Sequence, residues 1–175
     1  MPLVLEGPVA QFAEPVEENR AGERVWDALA ETGIAPEVLQ IEVTESVFLA
    51  AAERVDLVIG DLQRLGVRVA LDDFGTGYSS LAYLERYQID TIKIDQAFVR
   101  GLVTWSRSQA VVETVLRMGK ALGLTVVVEG VEEGEQLRAL QAAGCSFVQG
   151  YLLGRPMEAS AIMNFLARQH QASRI

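Results

Sequence analysis

The sequence predicts an α/β fold of about six strand–helix units around a parallel sheet, and three observations carry that prediction. Short β-branched runs alternate with longer stretches of helical period, glycines stand where helices should stop, and the runs end in acids, an amide or a lysine. Alternation of this kind implies parallel strands joined by right-handed crossovers.

In chain order the candidate strands are "LVLE" (3–6), "LQIEV" (39–43), "RVALD" (68–72), "TIKID" (91–95), "TVVVE" (125–129) and "FVQG" (147–150). Between them, Val55, Val58, Ile59, Leu62 and Leu65 keep the spacing of one buried helical face, and Gly66 follows as a C-terminal stop. The stretch "SRSQ" (106–109) reads as a capping box ahead of Val111, Val115, Met118 and Leu122. Leu137 and Leu140 lead to Gly144 in the same way. These stripes are core. The strand ends carry Glu6, Glu42, Asp72 with Asp73, Lys93 with Asp95, Glu129 and Gln149. A closed (β/α) barrel would gather all of them at one mouth, whereas an open doubly wound sheet would spread them along its edge.

The 175 residues, half of them hydrophobic, suit one well-packed core. A net charge of −9 argues against a DNA-binding groove or an anionic membrane surface, and no apolar run is long enough to span a bilayer. Cys145 is the sole cysteine, so no disulfide closes within the chain, and with no export signal at Met1 the expected location is cytoplasmic. The sole histidine, His170, lies in a polar C-terminal stretch whose last residues, 169–175, form a tail. A Ser-His-Asp triad or histidine zinc site is therefore not expected, and acid–base work falls to Asp, Glu or Lys.

The stretch "VALDDFGTGYSSL" (69–81) drives an apolar run into two adjacent carboxylates and follows them with a glycine-rich turn. Its plain reading is a pair of acids solvated at a turn or capping a helix. The functional reading starts from repulsion: acids crowded at an apolar mouth need cations to balance them. Oxygen donors without histidine or thiolate favour Mg²⁺ or Mn²⁺, and Asp72 with Asp73 could hold two ions roughly 3.5–4 Å apart, the spacing of metal-assisted phosphate ester hydrolysis.

The motifs "IEVTES" (41–46), "LDDFGTGYSSLAYL" (71–84), "IKID" (92–95), "VEGVE" (128–132) and "QGYLLGRP" (149–156) resemble, in order and spacing, the EAL domain family of bacterial phosphodiesterases that open cyclic di-GMP to linear pGpG. The resemblance implies a TIM-like barrel with Mg²⁺ or Mn²⁺ at its mouth. It assigns Glu42 and Asp72 to the first metal, Asp72 and Asp73 to the second, and Lys93 to the attacking water. Glu129 matches a general base or second-metal contact, and Gln149 a glutamine lining the mouth. Glu45, Asp95 and Glu132 are expected to brace these groups, Glu45 through the loop after the aspartate pair.

The family's namesake triplet, whose glutamate binds the first metal, has no counterpart here. Aligning Gln11-Phe12 to a downstream Gln-Phe pair puts Glu6 where the family has a metal-binding Asn, making it a further candidate ligand. A closed barrel takes about 250 residues. We therefore expect residues 1–175 to be a single EAL-like domain lacking the first barrel strands: an incomplete TIM-like barrel that self-associates through its open edges. The leading reading is a cyclic di-GMP phosphodiesterase domain whose activity, as this chain alone, is weak or lost, and which sensory or diguanylate cyclase domains accompany. The alternative is a non-catalytic module binding cyclic di-GMP or a protein partner; a third reading makes Lys93 a Schiff-base lysine.

Overall fold

The structure, a computed structural model, describes residues 21–45, 47, 52–75, 81–158, 160–162 and 165. The expected first strand at 3–6, with Glu6, lies outside them, as does the tail. Five parallel strands pair in chain order: β1 (Gln40–Thr44), β2 (Arg68–Phe74), β3 (Thr91–Ile94), β4 (Thr125–Val128) and β5 (Phe147–Val148). Helix α1 (Ala21–Thr32) and a 3₁₀ turn (Pro36–Val38) precede β1. The connections carry α2 (Ala52–Leu65), α3 (Leu81–Arg86), α4 (Gln96–Arg100) with α5 (Ser106–Leu122), and α6 (Gly134–Ala142). Sequential strand order in a parallel sheet is that of a barrel wall; a doubly wound sheet reverses direction at its centre. The described residues thus form an incomplete TIM-like barrel. Among them, no helix is long and apolar enough to cross a membrane.

The core forms where the strands' apolar runs meet the helical stripes. Ile59 and Leu62 of α2, Leu71 of β2, Ile92 and Ile94 of β3, and Leu140 of α6 are all under 2% exposed. Each such side chain contributes roughly 1.5–3 kcal/mol by leaving water. Every residue of β3 is buried, the polar Thr91 and Lys93 included, as befits a strand covered on both faces. Cys145 is buried and donates its thiol to the Phe147 carbonyl, as a small core filler should.

Strands β1, β4 and β5 shift or shorten by one or two residues against the expected 39–43, 125–129 and 147–150, and three further boundaries differ in ways that bear on the site. The stretch at 106–109 is not a capping box. The Trp105 amide bonds back to the Gly101 carbonyl at 2.8 Å and Trp105 takes the N-cap position, so Ser106 is already inside α5, and Gln109 donates forward to Glu113 at 3.1 Å. Strand β2 runs past Asp72 to Phe74, with its register to β3 shifting between Leu71 and Phe74. Asp95 falls outside β3 and caps α4, accepting a hydrogen bond from the Ala97 amide at 2.8 Å.

Candidate functional site

Parallel strands in register bring their carboxyl ends to one edge, and the side chains there are acids around a lysine. Thr44 of β1 pairs with Asp72 of β2, so Glu42 and Asp72 come from adjacent strands; Lys93 pairs with Val127, one strand further on. The Lys93 ammonium lies 2.6 Å from Glu42 Oε1, 2.7 Å from Glu129 Oε1 and 3.6 Å from Asp72 Oδ1. Its side chain is 4% exposed, against 13% for Glu42 and 20% for both Asp72 and Glu129. Burial works against the charge of Lys93. The hydrogen bonds to Glu129 and Glu42, with the charges of Glu129 and Asp72, outweigh it and raise the pKa above the ordinary lysine range. An ammonium engaged by two carboxylates is a poor Schiff-base nucleophile, which weighs against the third reading.

Asp73 sits at φ +57°, in the left-handed region that side chains other than glycine rarely adopt, and its amide bonds to its neighbour's carboxylate, Asp72 Oδ1, at 3.0 Å. Asp72 and Asp73 occupy the stretch between Leu71 and Phe74 over which β2 shifts register against β3. The break lets two consecutive side chains reach the mouth where an unbroken strand would send them to opposite faces. Burial first, then the charges of Asp72 and Asp95, raise the Asp73 pKa against the lowering effect of Lys93. Negative charge from Asp72, Asp95 and Glu42 thus bears on Asp73.

Beyond β4, Glu129 is held by its amide, which bonds to the Ile94 carbonyl at 3.0 Å, and Val131 bonds to the Gln149 carbonyl at 3.0 Å. Gly130 between them has φ +71°, and a Cβ there would stand 2.3 Å from the Cβ of Gln96 on α4. No other residue fits. Gly130→Ala should destabilise the chain by about 2–3 kcal/mol, through overpacking and left-handed strain together, as read by urea unfolding.

The other expected site residues are distributed unevenly. Gln149 follows β5 with its Oε1 buried and accepting no hydrogen bond among the described residues. Glu45 is buried immediately beyond β1. Glu132 is exposed, and its backbone amide, rather than its carboxylate, makes the recorded bond, to Gln136 Oε1 at 2.8 Å. Sequence reading passed over Gln136, although Glu133-x-x-Gln136 has the spacing of a helix start with a reciprocal glutamine cap.

Oxygen donors with a surplus of negative charge suit hard divalent cations. Glu42, Asp72, Asp73 and Glu129 supply four carboxylates against the single ammonium of Lys93. Among the described residues, no three acidic, histidine or cysteine side chains are gathered closely enough to hold one ion. Lys93 stands between two of the donors.

A parallel barrel wall with an acid–lysine cluster at the carboxyl ends of its strands defines an α/β barrel domain of the kind that carries its chemistry at the mouth. The chain belongs to the EAL domain family, whose model matches residues 9–156. Cyclic di-GMP phosphodiesterase NbdA of Pseudomonas aeruginosa is 39% identical over 144 residues, covering 82% of this chain and 18% of the relative. Bifunctional diguanylate cyclase/cyclic di-GMP phosphodiesterase MucR of the same organism is 40% identical over 143 residues, 82% of this chain and 21% of the relative. The solved manganese and cyclic di-GMP complex of Klebsiella pneumoniae BlrP1 superposes with a TM-score of 0.76 at 38% identity, over 80% of this chain and 36% of that one. The chain thus spans about a fifth of the length of these curated relatives.

Proposed function

We propose that the chain is a cyclic di-GMP phosphodiesterase domain, hydrolysing cyclic di-GMP to linear pGpG with divalent metal, and that turnover by these 175 residues alone is weak. The observation that carries the reading is the Glu42–Lys93–Glu129 ion-pair chain at the strand ends, with Asp72 beside it. Glu42 with Asp72 would contribute to one Mg²⁺ or Mn²⁺ and Asp72 with Asp73 to a second. Each pair is only part of a shell, since among the described residues no three acids are gathered around one ion. Metal when bound would polarise a phosphate oxygen and activate water. Lys93 orients Glu129 toward the mouth and carries positive charge where a phosphodiester would sit. Gln149 offers its buried amide oxygen to the same space.

The reading is supported by relatives named for this activity and by the manganese and cyclic di-GMP complex of a similar fold. The name of MucR supports accompanying diguanylate cyclase domains as partners, and the single buried cysteine is consistent with a cytoplasmic location. Among the described residues β1 and β5 each pair on one side only. We propose that a second copy covers such an edge. Light scattering should show a dimer or larger species; a dilution-resistant monomer would contradict it.

Because Lys93 already neutralises part of the carboxylate charge without metal, a module that binds cyclic di-GMP and releases no product is the second reading. Measuring nucleotide binding and pGpG formation on one preparation separates the two. The metal assignment is tested by calorimetric titration of Mn²⁺. Asp72→Asn keeps the ligand's shape and removes its charge, so affinity should fall by at least about tenfold. Equal affinities would remove Asp72 from the metal site.

A further inference from the structure

We infer that Gln136 is a positioning residue for this site, clamping the loop that carries Glu129 to the helix that follows Lys93. The inference rests on the reading that Lys93 and Glu129 are functional partners. Gln136 is 8% exposed, so its amide is almost wholly withdrawn from water and must find its bonds within the fold. Its Oε1 accepts from the Glu132 amide at 2.8 Å and from the Glu133 amide at 2.9 Å. Its Nε2 donates to the Val99 carbonyl, in the last turn of α4, at 3.4 Å.

These bonds join two different βα units. On one side, β3 delivers Lys93 and turns directly into α4 through the Asp95 cap. On the other, β4 delivers Glu129, and residues 129–133 form the turn into α6. The register of β3 with β4 ends at Ile94 and Val128, and past it Glu129 is held by the bond from its amide to the Ile94 carbonyl and by its ion pair with Lys93. Those bonds, with that of the Val131 amide to the Gln149 carbonyl, tie the loop to the strands; against α4 it meets the Gly130–Gln96 packing and the bond from Gln136 to Val99. The amide group alone offers an acceptor toward one unit and a donor toward the other. A carboxylate or thioether of similar length cannot do both.

The test uses the full chain, with lysine ammonium groups labelled with ¹⁵N and observed by NMR. An ammonium held by two carboxylates in a buried place exchanges its protons slowly with water, so wild-type Lys93 should give a signal distinct from the exposed lysine, Lys120. Gln136→Met, which removes both the acceptor and the donor, should speed Lys93 exchange by at least about tenfold or erase the signal. Ile59→Ala, a core cavity in α2, which takes no part in this bridge, serves as the control for general destabilisation and should keep the signal. If Gln136→Met does not fold, Gln136→Glu decides: it keeps an acceptor for the two amides but loses the donor to Val99, and faster Lys93 exchange is again expected. Wild-type exchange in whichever of the two variants folds would overturn the inference, as would the absence of any protected Lys93 signal in the wild type. None of these readouts needs turnover, so a chain that proves unable to hydrolyse cyclic di-GMP leaves the test of Gln136 intact.

Discussion

Replacing Lys93 by methionine should cost the fold about 3–5 kcal/mol, read as a fall in the urea midpoint with little change in slope. The methionine fills a similar volume, so the loss is electrostatic rather than a cavity effect. What remains is Glu42, Asp72 and Glu129, each 20% exposed or less, facing one another without the cation that lay within 2.6 to 3.6 Å of all three. Removing one partner of a buried ion pair leaves the other charge stranded, and here a single removal strands two paired carboxylates and a close third. The double variant Lys93→Met with Glu129→Gln removes one of the repelling charges and should recover part of the loss. A Lys93→Met chain as stable as wild type, in buffer free of divalent cations, would mean that the acids are better solvated than their burial implies.

That coupling bears on what could be read from the residues alone. The runs ending in Glu42, Asp72, Lys93 and Glu129 disclosed both the strands and the edge they share, because a buried parallel strand is a continuous apolar run and a polar residue at its end has nowhere else to point. Four strands lie where these runs lie, and the fifth begins the run at 147–150. Helix α1 went unread, since its core-facing Val25 and Leu29 are interrupted by the exposed Trp26 and carry no capping signal. The left-handed turn at Asp73 was also invisible. Nothing in an Asp-Asp pair distinguishes a register break from a plain strand end; the break depends on which β3 residues β2 meets. The latch that ties α3 to α2 is of the same kind. Asp56 accepts from both Arg86 and Tyr87, some thirty positions later in the chain, and no local pattern links them. Gln136 is intermediate: its cap spacing was legible, but the bond to Val99 belongs to the tertiary fold.

The second large effect expected is on catalysis. With Mg²⁺, the purified 175-residue chain should turn over cyclic di-GMP at or near background, slower than a full-length EAL-family phosphodiesterase by on the order of a thousandfold or more. The resemblance assigns the first metal four protein ligands: the glutamate of the namesake triplet, an asparagine, and the residues matching Glu42 and Asp72. The sequence contains no such triplet and places Glu6, at best, where the asparagine belongs. The two donors that remain are engaged, since Glu42 lies 2.6 Å from the Lys93 ammonium and Asp72 3.6 Å, so a dication must compete with a fixed cation for them. Mg²⁺ demands near-ideal octahedral geometry and tolerates an incomplete shell poorly, whereas Mn²⁺ has the higher affinity for the same donors. Residual turnover should therefore favour Mn²⁺. Product formation is measured by separating pGpG from cyclic di-GMP, with each metal at saturating concentration and the full-length enzyme run in parallel. Brisk hydrolysis in Mg²⁺ by this chain alone, abolished by Glu129→Ala, would sink the prediction and show that Glu6 or a second copy of the chain supplies the missing ligands.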